Sequence, residues 1–126
     1  MNIEINKEFK QNYLVQDNNT AKFMGSGDLE VFATPSLVAF MENAAKEYLN
    51  TFLPEELGSV GSNININHIA PTLVGKEITV QGKIIEIIKD KIIIFSLEAF
   101  EADKKIGDAT HTRVIINNEK FLSKLS

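Results

Sequence analysis

The longest periodic segment of the sequence predicts one long helix. Between Leu37 and Phe52, apolar residues recur three and four positions apart, the spacing that places side chains on one face of a helix. Thr34 is suited to cap the start of this helix through its hydroxyl, and Pro35 to occupy the first helical position. At about 1.5 Å per residue, a helix from Pro35 to Phe52 runs roughly 27 Å and crosses the whole of a domain of this size.

Strand-like patterns fill most of the remaining chain, either as alternation of apolar and polar residues or as short isoleucine-rich runs. The predicted strands are 9–15, 59–70, 76–88, 92–101 and 107–117. Short polar turns join the last three strands, which predicts an antiparallel meander. Gly82 interrupts one strand and predicts a bulge or a bend there.

The order of these elements, one strand, one helix and then four strands, predicts an α+β fold. The run Ile92–Phe95 is apolar at consecutive positions, so exposing either face of the sheet to water at this strand would be unfavourable. The helix would cover one face, and a second layer or subunit part of the other. An antiparallel sheet wrapped around one long central helix is the hot-dog fold, usually built as a dimer, and we expect a single domain over 1–126.

Composition excludes several classes of function. A net charge of −4 with a single arginine provides no basic surface for nucleic acid or an anionic membrane. The absence of cysteine excludes disulfides, thiolate metal sites and a cysteine nucleophile, and two histidines are too few to favour a zinc site. The first seven residues are too polar for a signal peptide, so we expect a cytoplasmic protein.

Two polar residues fall on predicted apolar faces. Glu42 has apolar neighbours one turn away on the helix, including Ala45. His68 alternates in phase with Ile64 and Ile66, so its ring faces the same side of the sheet as the isoleucines. Considered separately, Glu42 is more simply an edge glutamate that reaches water, and His68 a core histidine with satisfied hydrogen bonds.

Three segments together carry a more specific pattern: Val31–Glu42, Gly58–Gly75 with its sequence NHIAPT, and 109–113 with the sequence ATHTR. In this order and spacing they resemble the hot-dog acyl-CoA thioesterases, in the branch typified by the fluoroacetyl-CoA thioesterase. The resemblance implies hydrolysis of the thioester of a short or small acyl-CoA. It also implies that coenzyme A enters as part of the substrate, with no separate cofactor and no metal.

The resemblance implies roles for five residues. Thr34, Glu42 and His68 match the catalytic set of that family. Gly61 matches a position beside the acyl group, and Arg113 a position near the mouth of the site. The residues alone leave open whether Glu42 is a nucleophile or a general base, and whether Thr34 is a nucleophile, a hydrogen-bond donor or only a cap. Gly61 could equally meet a backbone requirement, and Arg113 could only pair with a carboxylate.

The pattern departs from the family before the helix. Where the fluoroacetyl-specific enzyme has phenylalanines that form a lid, this chain has Gly25 and Asp28, which argues against a fluoroacetyl substrate. A non-catalytic acyl-CoA-binding module on the same fold is the alternative function. A hydratase or dehydratase ranks last, since that chemistry uses an aspartate–histidine pair near the helix. His111 alternates in phase with Arg113 and receives no predicted role.

Helix geometry constrains how the catalytic set can assemble. Eight residues separate Thr34 from Glu42 by about 12 Å along the helix axis and about 80° around it. Their side chains cannot readily meet within one helix. We therefore hypothesise a homodimer, or a higher assembly built from it, in which Glu42 approaches groups of the partner chain across a two-fold axis. A hydrogen-bonded set of Thr34, Glu42 and His68 within one chain would contradict this hypothesis.

Overall fold

A computed structural model describes residues 2–126. Met1 lies outside the described residues, and the single domain expected over 1–126 stays a prediction. In chain order the elements are β1 (Phe9–Leu14), a 3₁₀ turn (Asp17–Asn19), α1 (Ala21–Met24), α2 (Thr34–Asn50), β2 (Leu57–His68), β3 (Glu77–Ile88), β4 (Ile92–Glu101), β5 (Lys104–Asn117) and α3 (Asn118–Ser123). No helix in residues 2–126 is long and apolar enough to span a membrane.

The five strands form one antiparallel sheet in the order β1-β3-β4-β5-β2. The predicted meander is confirmed for β3, β4 and β5, which follow one another in sequence and in space. Among residues 2–126, β2 pairs only with β5, so β1 and β2 are the two edges of the described sheet. The arrangement places β2 beside the strand that carries Arg113, opposite Gly61 in the register.

Helix α2 packs across one face of the sheet and supplies much of the core. Its inward residues include Leu37, Met41 and Leu49, each fully buried. They share one core cluster with the buried alternate residues of β3, β4 and β5, because successive side chains of a strand face opposite sides. The helix also packs against β1 and β2. The expectation of one long helix covering one sheet face is confirmed. A second subunit on the other side stays a prediction.

The start of α2 differs from the sequence prediction. The helix begins at Thr34, and the N-cap position belongs to Ala33, which has no side-chain oxygen to offer. Pro35 consequently takes the second helical position. Thr34 does not cap the helix, because its hydroxyl is hydrogen-bonded to the ring of His68, 34 residues away. The prediction of Thr34 as N-cap was wrong, and a tertiary partner is the reason.

The segment before α2 contains a short helical turn that the sequence did not predict. Thr20 caps α1 by accepting a hydrogen bond from the amide of Phe23. Gly25 then ends α1 in the left-handed conformation, with φ 76°, where a residue without Cβ is favoured. Isolated bridges pair Thr20 with Phe32, and Val31 with Leu73. These contacts fold the segment against the N-terminal end of α2.

Gly82 is a point of close strand packing rather than the predicted bulge. It pairs in regular register with Phe9 of β1 and with Leu97 of β4. The irregularity of β3 falls later, between Ile84 and Glu86. The bulge prediction was wrong because a glycine in a strand marks close approach of neighbouring groups as often as a break in register.

Replacing Gly82 with alanine should destabilise the sheet. A Cβ at this position would lie 2.5 Å from Leu97 Cδ2 and 2.9 Å from the backbone oxygen of Ser96, which cannot move aside without shifting β4. We expect a loss of about 1–3 kcal/mol in the free energy of unfolding, the usual range for overpacking. Urea denaturation at fixed protein concentration measures it. The exposed Glu86→Ala on the same strand is the control, and equal stability of both variants would contradict the packing.

Candidate active site

The first polar cluster joins the start of α2 to the end of β2. Thr34 Oγ1 and His68 Nδ1 lie 2.8 Å apart, a hydrogen-bond distance. His68 is the last residue of β2, and its ring packs edge-on against Phe32, with ring centroids 6.0 Å apart. Among the described residues, His68 Nε2 is buried without a hydrogen-bond partner. The imidazole is therefore held through one nitrogen and leaves the other for a ligand or a partner chain.

Burial keeps this imidazole neutral near neutral pH. Desolvation lowers the pKa of His68 below the ordinary value of 6.5, and the Ala70 backbone only partly opposes this effect. A neutral imidazole has one nitrogen that accepts a proton and one that donates. Paired with the hydroxyl of Thr34, it has the separation that a base needs to activate an alcohol or a water molecule.

A cavity of about 320 Å³ opens beside this pair. Its wall comes from three places in the chain: the segment before α2, the first turn of α2 and the residues just after β2. No side chain caps the first turn of α2, so its amide groups remain directed along the helix axis. The positive end of the helix dipole lies at the same place, which favours an anionic group there.

The second polar cluster lies further along α2, where Glu42 faces β2 and β5. Glu42 Oε2 is 3.8 Å from Arg113 Nη1. The Arg113 side chain is 7% exposed and the Glu42 side chain 39%, so the guanidinium is buried while the carboxylate stays accessible from one side. Arg113 donates from Nε to Ser59 Oγ at 2.8 Å and from Nη2 to the Ser59 backbone oxygen at 3.1 Å.

Gly61 makes room for the Glu42 carboxylate. A Cβ at Gly61 would lie 2.5 Å from Glu42 Oε2 and 3.3 Å from Cε1 of His111. Gly61 is not among the residues with positive φ, so conformational freedom is not the reason for glycine here. The reason is the close approach of the carboxylate to the backbone of β2.

One chain thus brings the five predicted site residues together in two groups. Thr34 and His68 form the first group, and Glu42, Gly61 and Arg113 form the second. Within residues 2–126, no hydrogen bond or ion pair links the Glu42 carboxylate to Thr34 or His68, and its charged contact is to Arg113. The three residues of the implied catalytic set do not close into one hydrogen-bonded unit inside a single chain.

His111 belongs to the second group, although the sequence analysis gave it no role. It is 1% exposed, and both ring nitrogens have partners: the Asn63 backbone oxygen at 2.7 Å and Arg113 Nη1 at 3.2 Å. The signal that could have found it is its spacing of two from Arg113, which on a strand places both side chains on one face.

Solved structures define the fold class. A hot-dog-like protein from Thermanaerovibrio acidaminovorans superposes with a TM-score of 0.87 at 18% identity, covering 98% of this chain and 90% of that one. A variant of the fluoroacetyl-CoA-specific thioesterase FlK in complex with fluoroacetate and CoA superposes with a TM-score of 0.88 at 26% identity. The superposition covers 94% of this chain and 99% of that one. The protein has the hot-dog fold, as expected from the sequence.

Sequence comparison then identifies the family. The family model for the fluoroacetyl-CoA-specific thioesterase FlK matches residues 15–119. The fluoroacetyl-CoA thioesterase of Streptantibioticus cattleyicolor is 32% identical over 96 residues, which cover 76% of this chain and 68% of that enzyme. The chain belongs to this thioesterase family.

The two histidines, His111 buried and His68 half-buried, predict how stability depends on pH. Burial lowers the pKa of both His68 and His111 in the folded state. The unfolded chain therefore binds more protons below about pH 7, and the free energy of unfolding should fall as the pH falls through the ordinary histidine range. Urea unfolding between about pH 7.5 and 5.5 measures this slope.

The free energy of unfolding of His68→Asn should depend less steeply on pH than that of the wild type in this range. Asparagine does not titrate there but can still form a hydrogen bond to Thr34. Carboxylates contribute equally to both proteins, so the difference between the two slopes isolates the histidine. An identical slope in the variant would show that His68 titrates alike in the folded and unfolded chains.

Proposed function

We propose that the protein is an acyl-CoA thioesterase that hydrolyses a short or small acyl-CoA, with an active site shared between two copies of the chain. The observation that carries this proposal is the hydrogen bond between Thr34 and a neutral His68, located at the uncapped start of α2 and beside a cavity. Membership of the thioesterase family and the complex of its relative with fluoroacetate and CoA support an acyl-CoA as the substrate.

The first group supplies three needs of thioester hydrolysis. The reaction needs a nucleophile or activated water, a group that takes up its proton, and donors for the oxyanion that forms on the carbonyl. His68 takes the proton, directly from water or through the hydroxyl of Thr34. The amide groups and dipole at the start of α2 favour the developing oxyanion. The leaving thiolate of coenzyme A then recovers the proton from His68.

Glu42 completes the site from the partner subunit. β2 is an edge strand, free to pair with β2 of a second copy, and it carries His68 at its end and Gly61 near its middle. An antiparallel pairing centred on Asn65 would set His68 opposite the irregularity between Gly61 and Asn63 of the partner subunit, beside which Glu42 lies. Each dimer would then contain two equivalent sites. Glu42 would either act as general base to water in place of His68, or attack the carbonyl, in which case His68 takes the proton of the water that opens the resulting anhydride.

The residues that line the cavity influence which acyl groups the site accepts. The segment that forms part of this wall carries Gly25 and Asp28 and offers no phenylalanine lid at these positions. Without phenylalanines at these two positions the site lacks the lid that the resemblance links to fluoroacetyl selectivity, although the exposed Phe23 lies in the same segment. We propose a preference for short or small acyl chains without fluoroacetyl selectivity. Cytoplasmic location and independence from metals and separate cofactors stay predictions from the sequence.

The experiment is thiol release from a panel of acyl-CoAs of increasing chain length. We expect turnover of the shortest members, with a loss of about 10²–10⁴ in kcat for His68→Asn, the range for removal of a general acid or base. Glu42→Gln should be comparably impaired. Glu47→Gln, an exposed carboxylate on the same helix, is the matched control. Binding of acyl-CoAs without turnover of any of them would favour a non-catalytic acyl-CoA-binding module.

Gly61→Ala should impair turnover without unfolding the protein. The added methyl group overlaps the position of Glu42 Oε2, and a flexible carboxylate can move away at little cost to stability. Displacement of a reacting group by about 1 Å can cost up to about 10² in rate, so we expect a loss of about ten- to hundredfold in kcat.

Ser62→Ala is the control for the Gly61 variant, because Ser62 is the exposed neighbour on the same strand and makes only a long hydrogen bond of 3.4 Å to the Thr112 oxygen. Wild-type rates in both variants would mean that the position of the carboxylate beside β2 does not matter for the reaction.

A further inference from the structure

We propose that His111 is a positioning residue: through the lone pair on Nε2 it holds the Arg113 guanidinium in place and so leaves the Glu42 carboxylate free for the reaction. The structural part of this inference is independent of the proposed function, whereas its effect on turnover rests on it. His111 has no contact with the cavity beside Thr34 and no place in the proposed chemistry.

Both neighbours of the His111 ring require the same tautomer. The Asn63 backbone oxygen, 2.7 Å from Nδ1, can only accept a hydrogen bond, so Nδ1 must carry a proton. Arg113 Nη1, 3.2 Å from Nε2, can only donate, so Nε2 must be bare. The two bonds together define a neutral imidazole protonated on Nδ1.

Arg113 is fixed by Ser59 and His111 rather than by Glu42. Its Nε and Nη2 donate to the hydroxyl and the backbone oxygen of Ser59, and one Nη1 hydrogen goes to His111. The remaining separation of 3.8 Å between Nη1 and Glu42 Oε2 exceeds a hydrogen-bond distance. The guanidinium therefore places a positive charge beside the carboxylate without occupying its lone pairs.

Loss of the His111 Nε2 acceptor would change how Arg113 contacts Glu42. Arg113 Nη1 would be left with a buried hydrogen that has no partner, which is unfavourable. Glu42 Oε2 lies 3.8 Å from Nη1, and a short move would convert the charge contact into a charge-assisted hydrogen bond. Glu42 would then be held by Arg113 and less able to act as nucleophile or base.

The surroundings of His111 favour its neutral form, which positioning of Arg113 requires. Burial lowers its pKa most, and the charge of Arg113 on β5 lowers it further, while the Asn63 backbone and Glu42 on α2 oppose this. From β4, Phe95 contributes only its ring, with centroids 6.1 Å apart. Protonation of Nε2 would remove the acceptor and place two cations in contact, so positioning should fail only on acidification.

Nitrogen NMR of the wild-type protein tests the structural part directly. We expect His111 to be the neutral tautomer with the proton on Nδ1 at neutral pH, and to become protonated only at a lower pH than an ordinary histidine. A ring protonated on Nε2, or an imidazolium at pH 7, would overturn the proposal. This measurement requires neither a known substrate nor an active enzyme, so it stands even if the proposed thioesterase activity fails.

Two variants separate positioning from packing. His111→Phe keeps a flat ring against Phe95 but has no acceptor, whereas His111→Gln can place an amide oxygen near the position of Nε2. With the best short acyl-CoA, we expect kcat of the phenylalanine variant to fall at least tenfold with a smaller change in KM, and the glutamine variant to retain most of the activity. Full activity in the phenylalanine variant, or equal loss in both, would overturn the positioning role.

Discussion

The rigidity of one helix sets the layout of this protein's polar groups. Thr34 and Glu42 lie on the same α-helix eight residues apart, about 12 Å along its axis, and no side-chain rotation closes that distance. The helix therefore brings a hydroxyl to the end of β2 at His68 and a carboxylate to the middle of β2 at Gly61. Each polar group finds partners of its own, and the two groups can cooperate only if something outside the chain brings them together.

Each polar group is stabilised by different means. In the pair of Thr34 and His68 the hydroxyl is exposed and the half-buried imidazole is neutral, which leaves one buried ring nitrogen for a further partner. The other group contains a buried guanidinium, whose charge is accommodated by two hydrogen bonds to Ser59 and one to His111. Glu42 adds a negative charge beside the guanidinium but lies too far from it for a hydrogen bond. Because Ser59 and His111 hold the guanidinium, the Glu42 carboxylate remains available for the reaction.

The sequence predicted the elements better than their contacts. Periodicity located α2 and every strand, and the bounds of β4 agree to the residue, because apolar spacing reports directly on which face is buried. The capping role of Thr34 was wrong because local rules do not include a histidine 34 residues away. His111 was overlooked because its function lies in a contact with Arg113, and alternation shows only that they share a face. The separation of Thr34 from Glu42 followed from helix geometry alone, whereas the grouping of the other site residues came from the structure.

The most direct test of a shared site mixes two inactive variants, Glu42→Gln and His68→Asn, under conditions that exchange subunits. In a mixed dimer with shared sites, one of the two sites would combine the intact Glu42 of one chain with the intact His68 of the other. Equal mixing gives half mixed dimers, so we predict recovery of about a quarter of wild-type activity. No recovery, despite demonstrated exchange of subunits, would contradict the shared site.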